Sequence, residues 1–172
     1  MSIEQLGALG SLLGLLAVAV ASDLRRHRIP NLLVLTGILL GVGSQLLAAG
    51  ISGVSASLLG MLTGFAIFLP LYILKGMAAG DVKLMAMVGS FFMYQDALWI
   101  AFYSLMAGAA CGALIVLVRG QATQTLARYG MMLRTRIYLA PASDEVAGKP
   151  FPYSIAIAIG TLVGMFWQPF GS

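Results

Sequence analysis

The chain has 172 residues, 60% hydrophobic and only 9% charged, with a formal charge of +4 and a mean hydropathy of +0.95. A soluble domain of this length carries about a quarter charged residues, so the few present here cannot cover a water-facing surface, and the chain's solvent must be largely lipid. The single cysteine, Cys111, excludes an internal disulfide and any multi-cysteine metal site.

A spanning helix needs roughly 20 mostly apolar residues. Such runs lie near 5–22, 32–49, 54–75, 82–95, 97–118 and 151–168. They lack the period-two alternation of a closed barrel. The expected fold is an all-α polytopic membrane protein, a compact bundle of about six transmembrane helices with both termini outside. The fourth run is short for a full crossing, so five spans plus a re-entrant piece is the alternative. The opening "MSIEQLGALG" has no basic stretch and carries the acidic Glu4, so the first helix is expected to stay in the mature protein.

The first span ends in "ASDLRRHRIPN", which sets Asp23 at its border and Pro30 as a breaker about two turns later. The link near 50–53 carries no charge. "GMAAGDVKLMAMVGS" opens the fourth run with Asp81 and Lys83. The stretch 119–150 is too short for a core of its own, so 1–172 reads as a single domain. In that stretch Leu126, Tyr129, Leu133 and Ile137 recur at helical spacing among Arg128, Arg134 and Arg136. They fit a basic helix lying on the inner membrane surface, as an anchor or as a docking site for substrate. "APASDEVAGKPFP" then leads into the last span.

Basic residues gather on the cytoplasmic side. With an outside N-terminus and six spans, all ten Lys and Arg residues fall inside. Solvated loops and anionic headgroups account for the positive charge, so no nucleic-acid partner is expected. Small residues recur four apart at Gly10/Gly14, Gly37/Gly41, Gly60/Gly64, Gly108/Gly112 and Gly160/Gly164. In lipid such pairs let helix backbones approach closely, within the bundle or between copies of the chain.

A carboxylate at the membrane is costly and marks a functional candidate. Glu4 and Asp96 fall at outer ends of spans, and Asp144 and Glu145 in the inner loop, where water reaches them. Asp23 and Asp81 both fall at the cytoplasmic border, on separate helices at the same depth. Each could simply pair with a nearby base. Asp81 and Lys83 are poorly placed for that, being two apart on a helix, whereas His27 would lie beside Asp23 if the helix continued. Should the acids face each other, one keeps its proton and the other ionises. Such a pair can hydrolyse a peptide bond with a held water, or bind and release protons during transport.

These segments resemble a known family, the type IV prepilin peptidases. "SDLRRHRIPN" is similar to its first aspartate motif, and "AAGDVKLMAMVG" to its second, a Gly-x-Gly-Asp followed by an apolar residue and Lys. "KPFPYSIAIAIG" resembles its entry into the last span. The resemblance implies that Asp23 and Asp81 are the catalytic aspartates, with Pro30 and Asn31 closing the first motif and Gly80 and Lys83 completing the second. Lys83 either steadies the site or marks the inner face. Ala78 departs from the motif's first glycine, which puts the local backbone in question.

Longer family members carry cysteine pairs in an N-terminal region associated with methylation. This sequence is similar to the short branch serving tight-adherence pili, and methyltransferase activity is not implied. The resemblance further implies a bacterial inner-membrane enzyme that needs no metal or cofactor. It would cut a short basic leader from a pilin-like precursor with a long apolar helix, at the cytoplasmic face. The other readings are a proton- or ion-coupled transporter and a noncatalytic assembly subunit.

Overall fold

The computed structural model describes residues 3–120, 123, 127, 131, 132 and 152–167. Five helices are found there: α1 (Ile3–Arg26), α2 (Asn31–Ile73), α3 (Ala79–Gly89), α4 (Tyr94–Val118) and α5 (Tyr153–Phe166). Leu6–Arg26, Asn31–Ile73 and Tyr94–Val118 are long and apolar enough to cross a membrane, and Tyr153–Phe166 is a shorter apolar helix. Of the basic surface helix expected around 126–137 only residues 127, 131 and 132 are described, each of them helical, while Leu126, Tyr129, Leu133, Ile137 and the three arginines lie outside the described residues, as do Asp144 and Glu145. The chain divides into two units, one of Met1–Ala107 with Pro152–Ser172 and the other of Gly108–Phe151. In the second, α4 runs to Val118 and is followed by Gly120, at φ 65. Within that helical stretch Cys111 is a half-buried free thiol. Everything below concerns the first unit.

Drawn straight, the 43 residues of α2 would run about 65 Å, twice the hydrocarbon thickness of a bilayer. They break at Gly50, whose φ of 63 and ψ of −142 belong to a region that glycine alone enters cheaply. Before the break, Gly37 lies against Met87 and Gly41 against Ser90; after it, Gly60 lies against Gly89 and Gly64 against Met85. Contact with the 79–90 segment thus climbs along the first half of α2 and descends along the second. The two halves run in opposite directions on either side of α3. The separate apolar runs expected at 32–49 and 54–75 are these halves, joined by one non-helical glycine.

The central helix α3 has 11 residues, about 16 Å, or half a bilayer core. It starts earlier and stops sooner than the run at 82–95, which brings Asp81 into its first turn. It is apolar nearly all round and buried to match: Leu84, Met85, Met87 and Val88 are wholly enclosed, and Lys83 is exposed. Glycine lets α2 reach its backbone. A Cβ on Gly60 would collide with the carbonyls of Gly89 and Phe92, and one on Gly64 would come 2.6 Å from the Met85 carbonyl oxygen. On α5, Gly160 and Gly164 back onto Ser104 and Ile100 of α4 in the same way. Gly10 and Gly14 do not follow: a Cβ on either meets nothing within 4 Å. Spacing four apart marks a narrow helix face, but only a neighbouring helix makes it a contact.

Outward, the helices show large apolar side chains such as Leu47, Leu62 and Ile51, the last 87% exposed. A continuous apolar coat of this kind belongs in lipid. Away from water each polar group must find a partner within the protein. Ser11, Thr36, Ser44 and Thr63 accordingly donate their hydroxyls to carbonyls one turn back.

Candidate active site

Asp23 stands in the last turn of α1, where the helix ends abruptly. His27 takes a left-handed backbone, φ 48, and its N–H donates to the Asp23 carbonyl at 2.8 Å, which is the single-bond left-handed cap. The Ser22 hydroxyl ties down the link by donating to the Arg28 carbonyl at 2.8 Å. Pro30, extended at φ −63 and ψ 131, caps α2, and its carbonyl accepts from the Leu33 N–H at 3.1 Å. The helix therefore does not continue to carry His27 alongside Asp23. Asp23 remains 8% exposed and turned inward.

Asp81 is positioned by a second stop and start. Lys75, at φ 58, donates its N–H to the Tyr72 carbonyl, and Gly76 donates to the Leu71 carbonyl. This paired arrangement closes a helix with a left-handed residue. The chain then re-enters helix at Ala79, and the Asp81 carboxylate accepts from the Ala78 N–H at 3.2 Å. Ala78 has φ −82 and ψ 153, extended backbone open to any residue, so alanine in place of the motif's glycine imposes no strain.

Asp23, Asn31, Gly80, Asp81 and Lys83 all line one cleft of about 250 Å³, together with Ala78 and with His27, Arg28 and Ile29 of the α1–α2 link. Pro30 shapes that link without lining the cleft. A Cβ on Gly80 would meet Ile29 at an ordinary 3.5 Å, so packing there does not demand glycine. Lys83 donates from Nζ to Asn31 Oδ1 at 3.1 Å, joining the two motifs across the cleft mouth. Among the described residues neither acid pairs with a neighbouring base: Asp81 holds the Ala78 amide, and Asp23 holds a hydroxyl. No cluster of three His, Cys, Asp or Glu side chains offers a metal site there.

That hydroxyl was not singled out from the sequence. Ser154, fully buried near the start of α5, donates from Oγ to Asp23 Oδ2 at 2.6 Å. Its signal was thin: a polar residue just inside the "KPFPYSIAIAIG" run, at the same border as both acids. Asp81 is 5% exposed, and its carboxyl is pushed up to about 7. The main cause is burial, the Asp23 charge adds to it, and the Ala78 amide opposes it. Near neutral pH Asp81 can therefore stand with or without its proton, as a general acid or base must.

Neither the curated proteins nor the solved structures gave a match. The profile of the type IV leader peptidase family matches residues 10–113, which takes in both aspartates, all of α3 and most of α1. The chain belongs to the type IV leader peptidase family.

Proposed function

We propose that this protein is an aspartic endopeptidase that removes the short basic leader of prepilin-like precursors at the cytoplasmic border of the bacterial inner membrane. Family membership supports a leader peptidase. The observation that carries the aspartic mechanism is two buried aspartates, from separate helices, lining one cleft in a chain with so few charges. Six segments span or enter the membrane in this reading, counting α2 as two, and both termini lie outside. The tight-adherence branch and leader cleavage without methyl transfer belong to the same proposal.

In the reaction, ionised Asp23 takes a proton from a held water as its oxygen bonds to the scissile carbonyl carbon. Protonated Asp81 gives its proton to the carbonyl oxygen. The tetrahedral intermediate collapses when Asp23 passes the proton it took to the leaving nitrogen, the C–N bond breaks, and the proton on oxygen returns to Asp81. Both acids end as they began. The substrate's apolar helix lies among the lipid-facing helices, which leaves its basic leader in water and the bond between them at the cleft.

Cleavage of a co-expressed prepilin-like precursor, read as a gel shift, tests this. Asp23→Asn and Asp81→Asn are each expected to lower cleavage by at least ~10³-fold at parental membrane abundance. Cleavage surviving either change removes the aspartic mechanism and favours a noncatalytic assembly role.

A further inference from the structure

Most hydroxyls on these helices are satisfied locally. The buried Ser104 and Thr161 donate to the carbonyls of Ile100 and Ile157, one turn back on their own helices. Ser154 does otherwise. It is the second residue of α5, whose N-cap is Pro152. Its hydroxyl instead crosses to Asp23 on α1, 131 positions away in sequence. The distance of 2.6 Å lies in the range of hydroxyl-to-carboxylate bonds, roughly twice as strong as neutral ones. The N-terminus of α5, the positive end of its dipole, comes to the same carboxylate. Ser154 also lies beyond the residues matched by the family profile, which end at 113.

We infer that Ser154 is a positioning residue, which holds Asp23 Oδ2 and fixes the carboxylate plane, so that Oδ1 is left to the water. The inference rests on the aspartic reading above. Asp81 and Lys83 face the cleft from α3, and His27 and Arg28 from the link, but Lys83 is engaged with Asn31 and Asp81 with Ala78. From α2 the cleft receives the neutral Asn31. On α5 the adjacent Tyr153 turns its ring edge-on to Phe68, 6.0 Å between centroids. A hydroxyl donated to one oxygen fixes the carboxylate plane. Without it, Asp23 rotates more freely.

The test compares the kinetics of the full-length parent with Ser154→Ala, Ser154→Thr and Asp23→Asn, in detergent, on the same precursor. Ser154→Ala is expected to lower kcat by ~10–100-fold while KM stays within about twofold. Ser154→Thr keeps the hydroxyl and is expected to recover most of the rate. Parental kcat in Ser154→Ala overturns the inference, as does a loss confined to KM or an equal loss in the Ala and Thr variants. If Ser154→Ala fails to accumulate, Ser154→Cys, similar in size and a weak donor, is judged by the same kcat criterion. An active Asp23→Asn sinks the aspartic reading itself. An inactive Asp23→Asn beside a parental Ser154→Ala sinks only the role of Ser154.

Discussion

Asp23 and Asp81 are chemically alike, and their surroundings separate them. Asp23 receives a hydroxyl, whereas Asp81 receives one longer amide bond and is otherwise desolvated beside a charge. Asp81 must hold a proton to act as the acid, so cleavage is expected to fall as pH rises through about 7. A rate that stays flat to pH 9 in an intact enzyme contradicts the assignment. Stability follows from the same group. Its carboxyl binds a proton more tightly folded than unfolded, where it titrates near 3.9. The resulting stabilisation is fully present below about pH 4 and lost as pH climbs through about 7. Asp81→Asn carries no such charge. It is expected to be more stable than the parent at pH 8, by ~2–4 kcal/mol, with the gap closing by about pH 4. At this scale the sequence showed both acids and their common border, because a charge stands out in an apolar run. It could not show Ser154, since a serine near a helix start is ordinary and its partner is 131 positions away. Lys75 was equally hidden. It takes a left-handed backbone of the kind glycine enters most easily, although Gly76 stands next to it.

The elements were legible in type and less so in extent. Apolar length gave the spans. The stops at Pro30 and the glycine break at Gly50 follow from backbone chemistry. The short α3 was harder, because its boundaries depend on burial between the halves of α2 rather than on its own composition. The small-residue pairs divide in the same way: Gly37/Gly41, Gly60/Gly64 and Gly160/Gly164 meet neighbours, and Gly10/Gly14 meet none within 4 Å. Gly60→Leu and Gly89→Leu drive a side chain into a backbone that cannot retreat. Each is expected to cost about 3 kcal/mol or more in detergent melting and to abolish cleavage by shifting Asp81. Gly10→Leu and Gly14→Leu are expected to stay within ~0.5 kcal/mol of the parent. Equal losses in the two groups would mean that α3 is not held as described.

For the molecule as a whole, the proposed orientation makes a separate forecast. It places the break at Gly50 outside and the ends of α1 and α2 inside. With Cys111 replaced by Ala, a cysteine at the exposed Ser52 is expected to react with a membrane-impermeant maleimide on intact cells. One at the exposed Arg26 should react only after permeabilisation. The reverse pattern overturns the orientation and, with it, the cytoplasmic placement of the cleft. Distribution of the ten basic residues made this whole-chain expectation available from sequence. The arrangement of helices around α3 was not, since a lipid-facing and a helix-facing apolar residue look the same in one dimension.

Close backbone approach at Gly60 and Gly64, together with an enclosed core of side chains, clasps the helix that carries Asp81. The outer apolar coat is thereby released from holding the chemistry in place. Leu39, Leu47 and Leu62, all open to lipid, are free to change among apolar residues as bilayer thickness or fluidity demands. A peptidase built this way is portable: transplanted to a host with different lipids, it can be refitted over its exterior while its enclosed interior is left untouched.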